Sequence, residues 1–97
     1  MAWLICRTRS NTYAVVNTEK IVRISIIYFQ ESGNYKVSIY PNEFEVIPVD
    51  VTLKDQDNVG ALLTALRSDS YFIIENGEIH VWKGQDLFTK SGGDERD

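Results

Sequence analysis

The side chains in this 97-residue chain with the right types for catalysis are few: one histidine, His80, one cysteine, Cys6, and two close carboxylate pairs, Glu43/Glu45 and Asp55/Asp57. A histidine acts as a general base only with an acceptor that orients its ring and a nucleophile or substrate proton within reach. Glu78, two residues before His80, supplies the acceptor if the stretch is a strand, because residues i and i+2 share a face. No serine is placed by local spacing to complete a triad, and the pattern G-x-S-x-G is absent. One imidazole with two glutamates is a poor zinc set, which draws on more nitrogen or sulfur. A reactive thiolate needs a nearby cation, helix N-terminus or metal. Cys6 instead follows Leu4 and Ile5, while Arg7 points to the opposite face of the same strand, so the thiol reads as a small core hydrophobe. The carboxylate pairs fall on an outward strand face and at a helix start. Phosphate-cradling loops, the H-E-x-x-H helix and the calcium loop are all missing. These readings assign no catalytic, metal or cofactor residue, and the expected activity is binding.

The residues best suited to binding lie in "YFIIENGEIHVW", Tyr71 to Trp82. Asn76-Gly77 is the strongest short hairpin signal, since a type I′ turn needs positive φ at both central positions. Reversal there sets Glu75 against Glu78, Ile74 against Ile79, Ile73 against His80, Phe72 against Val81 and Tyr71 against Trp82. Strand alternation then makes Phe72, Ile74, Ile79 and Val81 one apolar face, directed to the core. The other face carries Tyr71, Ile73, Glu75, Glu78, His80 and Trp82. Aromatic side chains bury large area with few torsions and so serve as interface anchors. This face is therefore the expected protein-interaction surface, unless the N-terminal hairpin lies over it as a second layer. Glu75 and Glu78 repel unless a cation joins them, for which Lys83, His80 or a partner's charge is available.

The elements that position this surface follow from periodicity. Most of the chain alternates with period two, so strands dominate. "AWLICRTR" and "TYAVV" flank Ser10-Asn11 as a hairpin. "NTEK" opens on Asn17, which can cap a short helical turn. "IVRISIIYF" follows, with Val22, Ile24, Ile26 and Tyr28 on one face. "YKVSIY" comes next, with Tyr35, Val37 and Ile39 inward, and then "FEVIPVDVTL". Pro48 cannot donate to a ladder, so that last strand belongs at an edge or a bulge. In "DQDNVGALLTALRSD", Val59, Leu62, Leu63 and Leu66 follow helical spacing, with Asp55 or Asp57 as N-cap. The expected fold is α+β, mainly β: an antiparallel sheet of six or seven strands built from hairpins, with one amphipathic helix near residues 57–67. Residues 1–90 form a single domain, and "SGGDERD" (91–97) is a polar, mobile tail.

Charge is unevenly divided. Residues 1–40 carry five cations and two carboxylates, a balance of +3, and residues 41–97 carry five cations and twelve carboxylates, a balance of −7. No apolar run approaches the ~20 residues needed to cross a bilayer. Trp3 and Leu4 precede the first positive charges, the reverse of a secretory leader, so Met1 reads as the native start of a cytoplasmic protein. A small acidic chain of this kind fits a regulatory, adaptor or inhibitor protein, its acidic half facing a basic partner surface. Pro48 would guard one sheet edge and leave the other open to pairing in a symmetric dimer.

Residues 13–82 also carry a rhythm of strand, turn, "EKIVRISI", "NYKVSIY", "VTLKDQDNVGALLTAL" and "YFIIENGEIHVW". In layout this resembles the LytTR-type DNA-binding domains of bacterial response regulators. The resemblance implies nucleic-acid binding as the alternative function. The basic N-terminal half points to the same alternative by itself, with Arg7, Arg9, Lys20 and Arg23 meeting phosphates and Trp3 and Tyr13 nearby to stack on bases. The sequence departs from that family where its motif reads H-R-S-Y-I-V-N. Here "ENGEIHV" puts Glu75 and Glu78 at that place.

Overall fold

The computed structural model describes residues 2–9 and 11–88. The expected tail at 91–97, and Ser10 of the first turn, lie outside the described residues. The order is β1 (Trp3–Arg9), β2 (Thr12–Asn17), a 3-10 turn (Thr18–Lys20), β3 (Arg23–Phe29), β4 (Asn34–Tyr40), β5 (Val49–Leu53), α1 (Gln56–Ala65), β6 (Tyr71–Glu75) and β7 (Glu78–Val81). The chain is α+β and mainly β, as its periodicity implies.

The seven strands form two sheets rather than one. A four-stranded sheet has the order β2-β1-β6-β7, and a three-stranded sheet has the order β3-β4-β5. Four of the five strand pairs are antiparallel, but β1 and β6 run parallel, with Trp3 beside Tyr71 and Cys6 beside Ile74. That pairing departs from the expected series of hairpins. It makes β1 a central strand with a neighbour on each side, and Leu4, Ile5 and Cys6 are all buried.

The sheets pack through one face each. Leu4, Cys6, Val16, Ile74 and Ile79 from the four-stranded sheet meet Val37, Ile39, Val51 and Leu53 from the other, joined by Leu62 and Ala65 of α1. Burying a leucine such as Leu62 contributes roughly 1.5–3 kcal/mol, enough to hold a helix too short to stand alone. The helix faces the core with Val59, Leu62, Ala65 and Leu66, and Leu63 is turned to solvent. Leu63 therefore leaves the apolar stripe that the spacing assigned to it, and Ala65 takes its place. Asp55 is the N-cap: its Oδ1 accepts from the Asn58 backbone N–H at 2.9 Å and from Asn58 Nδ2 at 2.8 Å. Asn58 Oδ1 in turn accepts from the Ile79 backbone N–H at 3.0 Å, fixing the helix start to β7. Asn17 caps the 3-10 turn by accepting from the Glu19 N–H.

Pro48 precedes β5 rather than interrupting it, and β5 does lie at a sheet edge. The expected strand over "FEVIPVDVTL" is correspondingly shorter. Residues 41–48 form a loop in which Phe44, Val46 and Ile47 stand in solvent, so Glu43 and Glu45 lie on that loop rather than on a strand. Among the described residues no helix is long and apolar enough to cross a membrane.

Candidate functional site

Alternation along four neighbouring strands turns one face of the larger sheet into a grid of side chains. The Asn76-Gly77 turn has φ of 55° and 80°, and the ladder beyond it pairs Phe72 with Val81, Ile73 with His80, Ile74 with Ile79 and Glu75 with Glu78. The Trp82 N–H donates to the Tyr71 carbonyl at 2.9 Å, extending that register by one pair. All six expected contact residues, Tyr71, Ile73, Glu75, Glu78, His80 and Trp82, therefore share the face away from the core. The N-terminal hairpin does not lie over them. It continues the same sheet and enlarges the surface with Trp3, Ile5 and Arg7 of β1 and Tyr13 and Val15 of β2.

The grid has three rows. At one end Trp3, Tyr71 and Trp82 stand side by side across three strands. The Trp3 and Tyr71 rings are stacked at 6.4 Å, and those of Tyr71 and Trp82 are tilted at 6.0 Å. Tyr71 keeps 49% of its surface in solvent. The middle row runs Val15, Ile5, Ile73, His80. Ile5 and Ile73 are buried floor, and Val15 is exposed.

The third row is polar and its charges are matched. Tyr13 Oη donates to Glu75 Oε1 at 3.4 Å, and Arg7 Nη1 lies 3.8 Å from the same oxygen. Glu78 pairs with the Lys54 ammonium and, at 2.9 Å, with His80 Nε2. The hydrogen bond from Lys54 holds the Glu78 carboxyl below its ordinary range and raises the Lys54 ammonium. Burial, followed by the negative Glu75, raises the Tyr13 phenol. The Glu75–Glu78 repulsion is thus answered by Arg7 and Lys54, and His80 Nε2 adds a polar contact to Glu78. Lys83, the cation proposed from sequence, instead sits where the chain turns back, its backbone N–H donating to Gln85 Oε1 at 2.9 Å.

Residues 83–88 fold against this face. Trp82 Nε1 donates to the Gln85 carbonyl at 3.1 Å, and Phe88 meets Tyr13 edge-on at 5.3 Å. Between this segment and the sheet lies an open cavity of about 420 Å³, bordered by Arg7, Tyr13, Glu75, His80 and Trp82. His80 borders this cavity, its side chain is more than half exposed, and the carboxylate it touches is Glu78. Among the described residues no three or more His, Cys, Asp or Glu side chains are grouped to hold a metal ion. Cys6 lies on the opposite, core face, and burial pushes its thiol up to about 12.

The four basic residues of the alternative reading do not form one patch. β1 runs from Trp3 to Arg9, and Asn17 pairs with Trp3. Arg7 and Arg9 therefore sit at one end of the first hairpin, and Lys20 follows from the other. Arg7 is matched to Glu75, and Arg23 lies on the other sheet with its guanidinium 4.2 Å from the centre of the Tyr40 ring.

Sequence reasoning found the β6–β7 half of this surface because a local turn sets its register. It did not place Trp3, Ile5, Tyr13 and Val15 on this face, because they come from a strand pairing with no local signal. The continuous run Trp3-Leu4-Ile5-Cys6 was the available clue, since a strand covered on both faces loses polar alternation. No protein-family model, curated protein or solved structure matches this chain.

Proposed function

We propose that this protein is a non-catalytic protein-binding module of the regulatory, adaptor or inhibitor kind, which grips its partner with the outer face of the β2-β1-β6-β7 sheet. The observation that carries this reading is the row Trp3–Tyr71–Trp82, three aromatic rings in contact across three strands and partly open to water. Rigid aromatic rings over an apolar floor, bordered by polar groups, form the kind of surface on which binding energy concentrates. Glu75, Glu78 and His80, with Arg7 and Lys54 matched to the carboxylates, supply a polar border of balanced charge. The lone, buried thiol of Cys6 suits the reducing environment of the cytoplasm, where we place the protein.

The test is affinity capture from native lysate, with the wild type beside Trp82→Ala and Tyr71→Ala. Loss of the same specific protein from both variants is expected. Each substitution should weaken binding by roughly 30-fold or more, the effect of removing a central aromatic anchor. Retention of that protein by both variants, with circular dichroism showing them folded, overturns the proposal. So does capture of nucleic acid in its place, with an affinity that falls steeply as salt rises.

A further inference from the structure

The three-stranded sheet has two dissimilar edges. At the β5 edge Pro48 precedes the strand, Asp50 adds a charge, and the chain leaves through Lys54, whose N–H donates to the Gly77 carbonyl at 2.8 Å. The β3 edge carries a charge only at its first residue, Arg23, and no proline. Among the described residues its only strand neighbour is β4. From Ile24 to Phe29 the sequence is Ile-Ser-Ile-Ile-Tyr-Phe, without a charge, a proline or a glycine.

Both faces of that edge are apolar and open. Ile26 and Tyr28 lie on the core side, opposite Val37 and Tyr35 of β4, yet are 38% and 52% exposed. On the outer side Ile27 and Phe29 are 50% and 47% exposed. On β4 itself, one strand inward, Val37 and Ile39 are wholly buried. The core layer thus reaches β3 only at Ile24 and leaves Ile26 and Tyr28 open. Natural edge strands carry charges, prolines or bulges because an uncharged apolar edge is a template for pairing.

We infer that the β3 edge is a homodimer interface, in which β3 of two copies pair antiparallel and the two three-stranded sheets become one of six. A two-fold axis perpendicular to the sheet keeps each face on its own side, so the contact is self-complementary. Centred on Ile27, the register sets Ile27 against its own copy, Ile26 against Tyr28, Ser25 against Phe29 and Arg23 against Glu31. Arg23 is the one cation of β3, and Glu31, in the turn after it, is exposed. The charges at both ends of the paired strands are therefore opposite, and between them only the Gln30 amide, set against Ile24, is neither apolar nor hydroxyl-bearing. The surface is separate from the aromatic face, and the inference does not depend on it.

Sedimentation equilibrium of the full chain over a concentration series tests this. The wild type is expected to show twice the monomer mass. Ile27 meets itself at the axis, so Ile27→Lys places like charges in direct opposition and should raise the dissociation constant roughly 100-fold. The side chain is half exposed in a single copy, so the variant should keep the wild-type circular dichroism. Arg23→Glu and Glu31→Arg should each weaken the dimer, and combining them should restore it. A wild type that stays monomeric to about 0.5 mM, well above the micromolar range of ordinary specific contacts, overturns the inference. A dimer that Ile27→Lys and both charge reversals leave intact does so as well.

Discussion

Three glycines in different surroundings make a quantitative test of how the β6–β7 ribbon is held. Gly60 lies in α1, and a Cβ added there meets nothing within 4 Å. Gly60→Ala should therefore stabilise the protein by about 0.5–1 kcal/mol, the difference in helix propensity. Gly33, in the β3–β4 turn, has a φ of 75° and equally open surroundings. Alanine there meets only backbone strain, about 1–2 kcal/mol, partly offset by the reduced freedom of the unfolded chain. Gly77 combines both problems. Its φ is 80°, and an added Cβ would stand 3.0 Å from Lys54 Cβ and 3.3 Å from Lys54 N. Neither atom can swing away, because Lys54 N–H donates to the Gly77 carbonyl at 2.8 Å. Overpacking of this sort costs a further 1–3 kcal/mol. Gly77→Ala should therefore lose about 1–3 kcal/mol more than Gly33→Ala, and in a domain of this size each kcal/mol moves the melting temperature by roughly 4–8 °C. Thermal and urea unfolding followed by tryptophan fluorescence, which reports on Trp3 and Trp82 of the aromatic row, would measure the series. Equal losses at Gly33 and Gly77 would refute the close approach of β5 to the β6–β7 turn, and with it the placement of Lys54 beside Glu78.

Two further outcomes follow from titrating groups. The Asp55 carboxyl is held below its ordinary range chiefly by the Asn58 backbone N–H, so the stability from this cap is present at neutral pH and lost as pH falls through the carboxylate range. Asp55→Asn keeps an acceptor at the cap and should flatten the acid limb of an unfolding-versus-pH curve, whereas an unchanged limb contradicts the role assigned to Asp55. The Cys6 thiol, pushed up to about 12 by burial, should resist alkylation at pH 8 in the native protein and react at once in denaturant; rapid native labelling would place Cys6 outside the core.

Local chemistry was legible in the sequence and long-range pairing was not. Asn76-Gly77 specified its own register, Asn17 announced its cap, Asp55 forms the helix cap that the sequence divided between Asp55 and Asp57, and Tyr35, Val37 and Ile39 turned inward as their alternation required. Each of these signals acts over a few residues. The division into two sheets depends on β1 choosing β6 as its second neighbour, a contact that no turn residue encodes. The loop at 41–48 was misread because Phe44, Val46 and Ile47 have the composition of a strand but no neighbouring strand on which to pair. For the same reason half of the aromatic face was visible in advance, and the half supplied by the N-terminal hairpin was not.

The parallel contact between residues 3–6 and 71–74 also sets an order for events on the ribosome. β2 and β3–β5 can find their hairpin partners soon after synthesis, but β1 has one bare flank until the last quarter of the chain emerges. Until then Leu4, Ile5 and Cys6 lack the neighbour that covers them, and nascent chains stalled before Tyr71 carry an unfinished sheet. Loop closure over so long a span slows folding relative to a helical chain of equal length. A short pause in translation near the helix would lengthen the interval in which this protein most needs protection from its own kind.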